Sequence, residues 1–376
     1  MQKIRVFVVD DSAVMRRLLT DTLEADPELT VVATAPNGRI ALAKLQTTVA
    51  DVITMDVEMP EMDGLETVMQ LRRSHPNLPV IMVSAVADAG AAVTLEALAH
   101  GASDYVTKPS GGIALAKEHF RTELIPKLKL FARLSEAKGR TDAFGQSKMP
   151  ASGSFRPRAA PPEHLRAVPD GRRVGRVDIV ALGISTGGPN ALHVLIPALP
   201  KTLAVPVVLV QHMPPVFTAR LAERLEKDSA VTVREAAAGD ELRAGVVYIA
   251  PGNFHMTVGR EGTKTRIGVN QAPPENSCRP AADVLFRSVA AVYGRATLAV
   301  VMTGMGKDGY RGCEAIKAVH GQVIVQDEAT SVVWGMPGFV AKARLADDIL
   351  PLDQLALEIV RRVAVGREAP NNGARV

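Results

Sequence analysis

Short apolar runs that end in a polar residue recur through residues 1–125, and segments of helical period separate them. Ile4–Val9 leads into Asp10-Asp11, Val52–Met55 into Asp56, Val80–Val83 into Ser84, and Tyr105–Val106 into Thr107-Lys108-Pro109. Thr30–Thr34 is a fifth such run. Between them, Val14, Leu18, Leu19 and Leu23, then Ile40, Leu42 and Leu45, mark segments of helical spacing. Leu65, Val68, Met69 and Leu71, then Val93, Leu95 and Leu98, repeat that spacing, the mark of one buried helix face. Five βα units predict an α/β fold, a flavodoxin-like five-stranded parallel sheet with helices on both faces. In such a sheet the carboxyl ends of the strands share one edge, and ligands bind there.

The pattern stops from about Arg133 to Arg176, where Gly145, Pro150, Gly153, Pro157, Pro161-Pro162, Pro169 and Gly171 interrupt it. Residues 126–175 are therefore expected to be a flexible basic linker without a core of its own. Much of the net charge of +4 lies there, with Arg140, Lys148, Arg156, Arg158, Arg166, Arg172 and Arg173. Such a run reads as a solvated tether, and no nucleic-acid partner is expected. Aromatic residues, at 4 %, are too few for base-stacking platforms.

Regular structure resumes at Val177, and residues 176–366 form a second domain. Its expected strands are Val177–Leu182, Pro206–Gln211, Val246–Ala250, Thr297–Thr303 and Gln322–Gln326. Helices are expected at Asn190–Leu199, Phe217–Lys227, Ala281–Tyr293, Gly312–Val319 and Leu352–Val363. Met256–Val269 reads as a hairpin turning at Glu261-Gly262. This too is α/β with a mostly parallel sheet, and residues 367–376 read as a frayed tail. The two cysteines, Cys278 and Cys313, form no C-x-x-C pair. No apolar run approaches the roughly 20 residues that cross a bilayer, and no signal peptide is expected ahead of the first strand. A reducing, cytoplasmic setting without membrane insertion is expected.

Asp10, Asp11 and Asp56 are hard oxygen donors at strand ends, suited to Mg²⁺ shared with waters and a phosphate. Asp56 is the candidate nucleophile, a carboxylate that forms an acyl phosphate. Ser84 and Lys108 can contact phosphoryl oxygens. One acid at a strand end would mean little, but five polar positions gathered at four strand ends point to a phosphoryl site.

In the second domain, Gly183-Ile184-Ser185-Thr186-Gly187-Gly188 follows a strand and opens a helix. Three readings fit this loop: an exposed nucleophilic serine, a phosphate cradle, or a tight turn. A serine needs a base. Among His193, His212, His255 and His320, His212 follows the neighbouring strand and is the best placed; His255 sits in a loop that can also face the site. Asp308, beyond the Thr297–Thr303 strand, can orient the imidazole. Asp283 is the alternative acid, but its place in a helix suggests a surface or capping residue. The chain order Ser185, His212, Asp308 differs from the serine, acid, histidine order of ordinary α/β-hydrolases.

Residues 1–125 resemble the receiver domain of two-component response regulators, through Asp10, Asp11, Asp56, Ser84 and Lys108-Pro109, with Tyr105 at the switch-aromatic position. Residues 176–366 resemble the catalytic domain of the chemotaxis protein-glutamate methylesterases of the CheB family. The motifs are Gly-Ile-Ser185-Thr-Gly-Gly, Gln211-His212-Met-Pro-Pro, Ala250-Pro-Gly-Asn-Phe-His255-Met, Arg279-Pro280, Thr303-Gly-Met305-Gly-Lys-Asp308-Gly and Gln326-Asp327-Glu328. The resemblance implies a Ser185–His212–Asp308 triad, an oxyanion hole at the Met305 N–H, and no metal in the esterase. It implies hydrolysis of glutamate γ-methyl esters and deamidation of glutamines on methyl-accepting chemotaxis receptors. A histidine kinase is the implied phosphodonor, and the receiver is expected to inhibit until Asp56 is phosphorylated. The competing reading is a phosphorylation-dependent binding protein whose glycine-rich loop holds a ligand without turnover.

Overall fold

A computed structural model describes residues 3–142 and 175–367, apart from 86 and 110, with side chains up to Glu136 in the first stretch. In the first unit, strands β1 (Ile4–Val9), β2 (Leu29–Ala35), β3 (Val52–Asp56), β4 (Val80–Ser84) and β5 (Asp104–Thr107) lie parallel in the order β2-β1-β3-β4-β5. The order reverses between β1 and β3, so their carboxyl ends open a crevice at that edge. Helices α1 (Ala13–Glu24), α2 (Gly38–Leu45), α3 (Gly64–Ser74), α4 (Asp88–Ala99) and α5 (Ile113–His119) cover the faces. Ser12, Asn37 and Asp63 cap the first three helices by accepting backbone N–H groups, which fixes where the loops at the acidic edge end.

Helix α6 (Ile125–Asp142) occupies the start of the stretch expected to be linker. Its first turns bury Ile125, Leu128, Phe131 and Ala132 against the receiver-like core. That i, i+3, i+6, i+7 pattern outweighs the basic composition, so the packed unit extends past residue 125. The expected linker from 143 to 174 and the expected tail from 368 lie outside the described residues.

Among the described residues, the main sheet of the second unit holds seven strands, all parallel: β6 (Ile179–Ile184), β7 (Val207–Gln211), β8 (Thr232–Glu235), β9 (Val246–Ile249), β12 (Thr297–Val301), β13 (Gln322–Gln326) and β14 (Asp348–Leu350). Their order is β14-β13-β12-β6-β7-β9-β8. The strands β10 (His255–Glu261) and β11 (Lys264–Asn270) form a separate antiparallel hairpin. Helices α7 (Gly188–Leu195), α8 (Phe217–Asp228), α9 (Ala282–Tyr293), α10 (Tyr310–Ala318), α11 (Met336–Lys342) and α12 (Leu352–Ala364) complete it. The central strands are buried along their whole length, as expected of a sheet covered on both faces. Edge strands β8 and β14 and the short helix α11 escaped the sequence reading because none carries a long apolar period.

The two units meet through α4 and β5 on one side and α7 and α8 on the other. Tyr105 stacks on Phe217 with ring centroids 4.8 Å apart and planes 8° from parallel. Arg220 pairs with Asp88 at 2.9 Å, and the Arg224 guanidinium donates to the Leu95 carbonyl. Both rings are largely removed from water, and a stacked pair of this kind contributes about 1 kcal/mol beyond its buried area.

Candidate phosphoryl and hydrolase sites

At the first sheet's edge, Asp10, Asp11 and Asp56 bring carboxylate oxygens within 4.8 Å of one another. Asp10 and Asp56 are buried and Asp11 is exposed, so the cluster opens to solvent on one side. Lys108 joins it, 2.9 Å from Asp10 and 2.7 Å from Asp56. The Val57 N–H donates to Asp56 Oδ1 at 2.8 Å, and Oδ2 is the oxygen that Lys108 meets. A Cβ on Gly64 would lie 2.1 Å from the Asp56 carbonyl, so glycine is required for the loop after β3 to close over the strand end. Burial pushes the Asp56 carboxyl up, to about 6, with Lys108 opposing and the Asp10 charge adding to the rise. Three carboxylates against one ammonium leave excess negative charge in a partly buried pocket. That donor set fits a divalent cation of the Mg²⁺ type.

Ser84 closes β4 beside this pocket and is fully buried. Its hydroxyl donates to the Ala85 carbonyl at 3.1 Å and lies 3.3 Å from that of Gly90, in the first turn of α4. The Lys108 N–H donates to the Ser84 carbonyl at 2.7 Å, tying the β4 and β5 ends together. Tyr105 points away from the pocket and into the junction with α8.

On the second sheet, β6, β7 and β12 are neighbours, so their carboxyl ends gather Ser185, His212 and the loop that carries Asp308. The Ser185 N–H donates to the Thr303 carbonyl at 3.0 Å, and the His212 N–H to the Ile184 carbonyl at 3.2 Å. Gln211 Nε2 donates to the carbonyls of Ser185 and His212, at 3.1 and 3.2 Å. Gly187, at φ 76°, makes the turn from β6 into α7. A Cβ on Gly304 would lie 2.8 Å from the Ser185 Cβ, so the backbone before Met305 passes directly against the serine. The Met305 N–H donates to no backbone carbonyl among the described residues.

His212 Nε2 meets Asp308 Oδ2 at 2.7 Å. The other ring nitrogen, Nδ1, is met by the Cys278 sulfur at 3.5 Å. Among the described residues the Ser185 hydroxyl makes no hydrogen bond, so the structure brings Ser185 to the same edge without joining it to His212. Burial lowers the proton affinity of His212, but Asp308 and Cys278 outweigh it, and the imidazole is raised to about 10. Asp308 is buried, which pushes its carboxyl up. Hydrogen bonds from His212 and from the N–H groups of Ala282 and Asp283 prevail and hold it low.

The other candidates lie elsewhere. His255 is buried at the start of β10, with Nε2 on the Pro273 carbonyl at 3.1 Å. His193 lies on α7 facing Asp228, and His320 is exposed at φ 62°. Asp283 is not a surface residue: it is 1 % exposed, and it caps α10 by accepting the Gly312 N–H at 2.6 Å. Asn276 and Cys278 were missed because they belong to an irregular turn that no periodicity marks.

Five parallel strands in this order, with an acidic crevice and a lysine at their carboxyl edge, are the architecture of a signalling receiver, here joined to an α/β enzyme domain. Family models agree: residues 6–118 match the response regulator receiver domain, and residues 180–359 match the CheB methylesterase. A protein-glutamate methylesterase/protein-glutamine glutaminase of Trichodesmium erythraeum is 48 % identical over 96 % of this chain and 100 % of its own. One from a Nocardioides species is 48 % identical over 99 % of this chain and 98 % of its own. The chain belongs to this family of receiver-linked CheB methylesterases. The solved CheB methylesterase catalytic domain of Thermotoga maritima is 42 % identical and covers 50 % of this chain and 99 % of its own, with a TM-score of 0.49.

Proposed function

We propose that this chain removes methyl groups from glutamate γ-methyl esters, and amide groups from glutamines, on chemotaxis receptors, under the control of phosphorylation at Asp56. The observation that carries the enzymatic half is the 2.7 Å contact between His212 Nε2 and Asp308 Oδ2 at the sheet edge that also presents Ser185. With Nε2 committed to Asp308, Nδ1 is the nitrogen that exchanges a proton with Ser185. Cys278 now meets that nitrogen at a long 3.5 Å, so a turn of the Ser185 side chain must displace a weak contact only.

In this reading the Ser185 oxygen attacks the γ-carbonyl carbon while its proton passes to His212. The carbonyl oxygen becomes an oxyanion, and the Met305 N–H, without a backbone partner among the described residues, stabilises it. His212 then returns the proton to the leaving methoxide or amide, so methanol or ammonia departs and an acyl-Ser185 ester remains. Water, deprotonated by His212, hydrolyses that ester to free glutamate and restores the serine. Asp308 stays ionised and holds the imidazole orientation throughout.

At the receiver, Asp56 Oδ2 attacks the phosphorus of a phosphohistidine on a partner kinase, and the N–P bond breaks as the acyl phosphate forms. Asp10, Asp11 and Asp56 would hold a Mg²⁺ ion, which would supply positive charge to the phosphoryl oxygens. Lys108 pairs with the new charge. Ser84 leaves the Gly90 carbonyl to donate to a phosphoryl oxygen, which frees the first turn of α4. The unphosphorylated receiver restrains the enzyme through α4 and Tyr105, which press on α7, just after Ser185, and on α8, which follows His212. Val332 adds to that contact, because it packs against the receiver core and lies where a Cβ on Gly187 would fall, 2.6 Å away. Repacking α4 and Tyr105 loosens the junction.

A serine-directed fluorophosphonate tests the enzymatic half. It is expected to label Ser185 in the native chain and to fail in Ser185→Ala and His212→Ala. Labelling independent of His212 would contradict an activated serine and favour a binding protein.

A further inference from the structure

Asp308 is held by more than the imidazole. Its Oδ2 accepts from His212 and from the Ala282 N–H at 2.6 Å, and its Oδ1 accepts from the Asp283 N–H at 3.0 Å. The remaining donor is Asn276, whose Nδ2 lies 3.0 Å from Asp308 Oδ1 and 2.9 Å from Asp283 Oδ2. Both amide hydrogens are thereby used. The flipped amide would set its oxygen against two carboxylates, so the orientation follows from electrostatics. Asn276 sits at φ 52° in a turn closed by paired Glu275–Cys278 backbone bonds of 3.1 and 2.9 Å. The same turn carries Cys278 to His212. Two buried carboxylates thus face each other through one neutral NH₂ group. Burial pushes Asp283 up, and the Asp308 charge adds to that rise.

We propose that Asn276 and Asp283 are positioning residues: Asp283 anchors the Asn276 amide, and the amide fixes Asp308 Oδ1 and screens the two charges, so that Asp308 stays ionised with Oδ2 aimed at His212. The proposal rests on the triad reading above. Without the amide, two like charges in a buried site share a proton, and His212 loses its counter-ion. The other titratable groups around the carboxylates are Cys278 on the same turn, Cys313 on α10, the Glu275–Arg287 pair and Arg311. Among the described residues, none of these donates a hydrogen bond to Asp283 or Asp308.

The test uses the full chain and follows the His212 ring by NMR across pH, with kcat and KM for methyl-ester hydrolysis alongside. Asn276→Gly removes the amide while keeping the positive φ that glycine adopts freely. It is expected to move the His212 titration about one pH unit lower, to reduce kcat on the alkaline plateau about tenfold, and to leave KM in place. The double variant Asn276→Gly/Asp283→Asn carries no unscreened charge and is expected to return the titration toward the native value. A native His212 titration in Asn276→Gly, or a double variant that titrates like Asn276→Gly, overturns the proposal. Should Asn276→Gly fold poorly, the double variant is expected to melt higher, and one that melts no higher likewise overturns it. Loss of methanol release in Ser185→Ala reports on the triad separately, since the ring titration is read whatever the nucleophile.

Discussion

Asp56 and Asp308 are both buried acids at the carboxyl edge of a parallel sheet, yet their surroundings push them in opposite directions. Asp56 is desolvated next to Asp10, with Lys108 as the opposing cation, and its carboxyl is raised. Asp308 is also desolvated, but an imidazole and two backbone N–H groups outweigh that and hold it low. The difference separates two jobs. A carboxylate that must attack phosphorus has one oxygen held only by a lysine side chain, and a charge that a cation and that lysine finish balancing. A carboxylate that must orient a base has its lone pairs filled and its charge fixed. On the proposed function, the same side chain at the edge of a parallel sheet serves as nucleophile in one unit and as anchor in the other.

The comparison is broken most severely by neutralising the anchor. Asp308→Asn is expected to lower methyl-ester hydrolysis on the order of 10⁴-fold, because the wrong imidazole tautomer is favoured. An equal loss on replacing Asp283 by Asn would erase the distinction between orienting acid and positioning acid. Removing divalent metal with EDTA is expected to stop phosphorylation of Asp56 by a small phosphodonor while leaving the unstimulated hydrolysis rate unchanged. Hydrolysis that falls with EDTA would place a metal in the wrong unit.

The pH dependence sharpens the comparison further. Hydrolysis needs neutral His212, so the rate is expected to rise with pH toward the imidazole's raised value, and Asp308→Asn should move that rise to lower pH. Stability runs the opposite way. The His212–Asp308 pair contributes fully below about 6.5, the ordinary imidazole value, and its contribution is lost as pH rises toward about 10. Thermal unfolding followed across that window should show the native chain losing more than Asp308→Asn does. The smallest expected effect lies at the junction: Tyr105→Ala removes the stack on Phe217 and should raise unphosphorylated hydrolysis a few-fold, as expected from about 1 kcal/mol of stacking. A fall would mean that the receiver assists the enzyme directly.

Both sheets were legible in the sequence because buried parallel strands are short apolar runs, and each polar residue that ends one stands out. That is why Asp10, Asp56, Ser84, Lys108, Ser185 and His212 were all readable. The start of α6 was not, because its apolar positions sit among lysines and arginines that favour a linker by composition. Asn276 and Cys278 were not, because a turn held by positive φ angles leaves no period in the chain. The burial of Asp283 was hidden for a related reason: Gly312 is brought to it only when α9 and α10 pack together, and Asn276 only by the positive-φ turn ahead of α9.

On the proposed function, charge at Asp56 is felt at Ser185 within one chain. The direct measurement is methanol release from methylated receptor membranes, with and without a small phosphodonor, for the native chain and for Asp56→Ala. Stimulation of the native chain and none of Asp56→Ala is expected. Full stimulation of Asp56→Ala would contradict the proposed function.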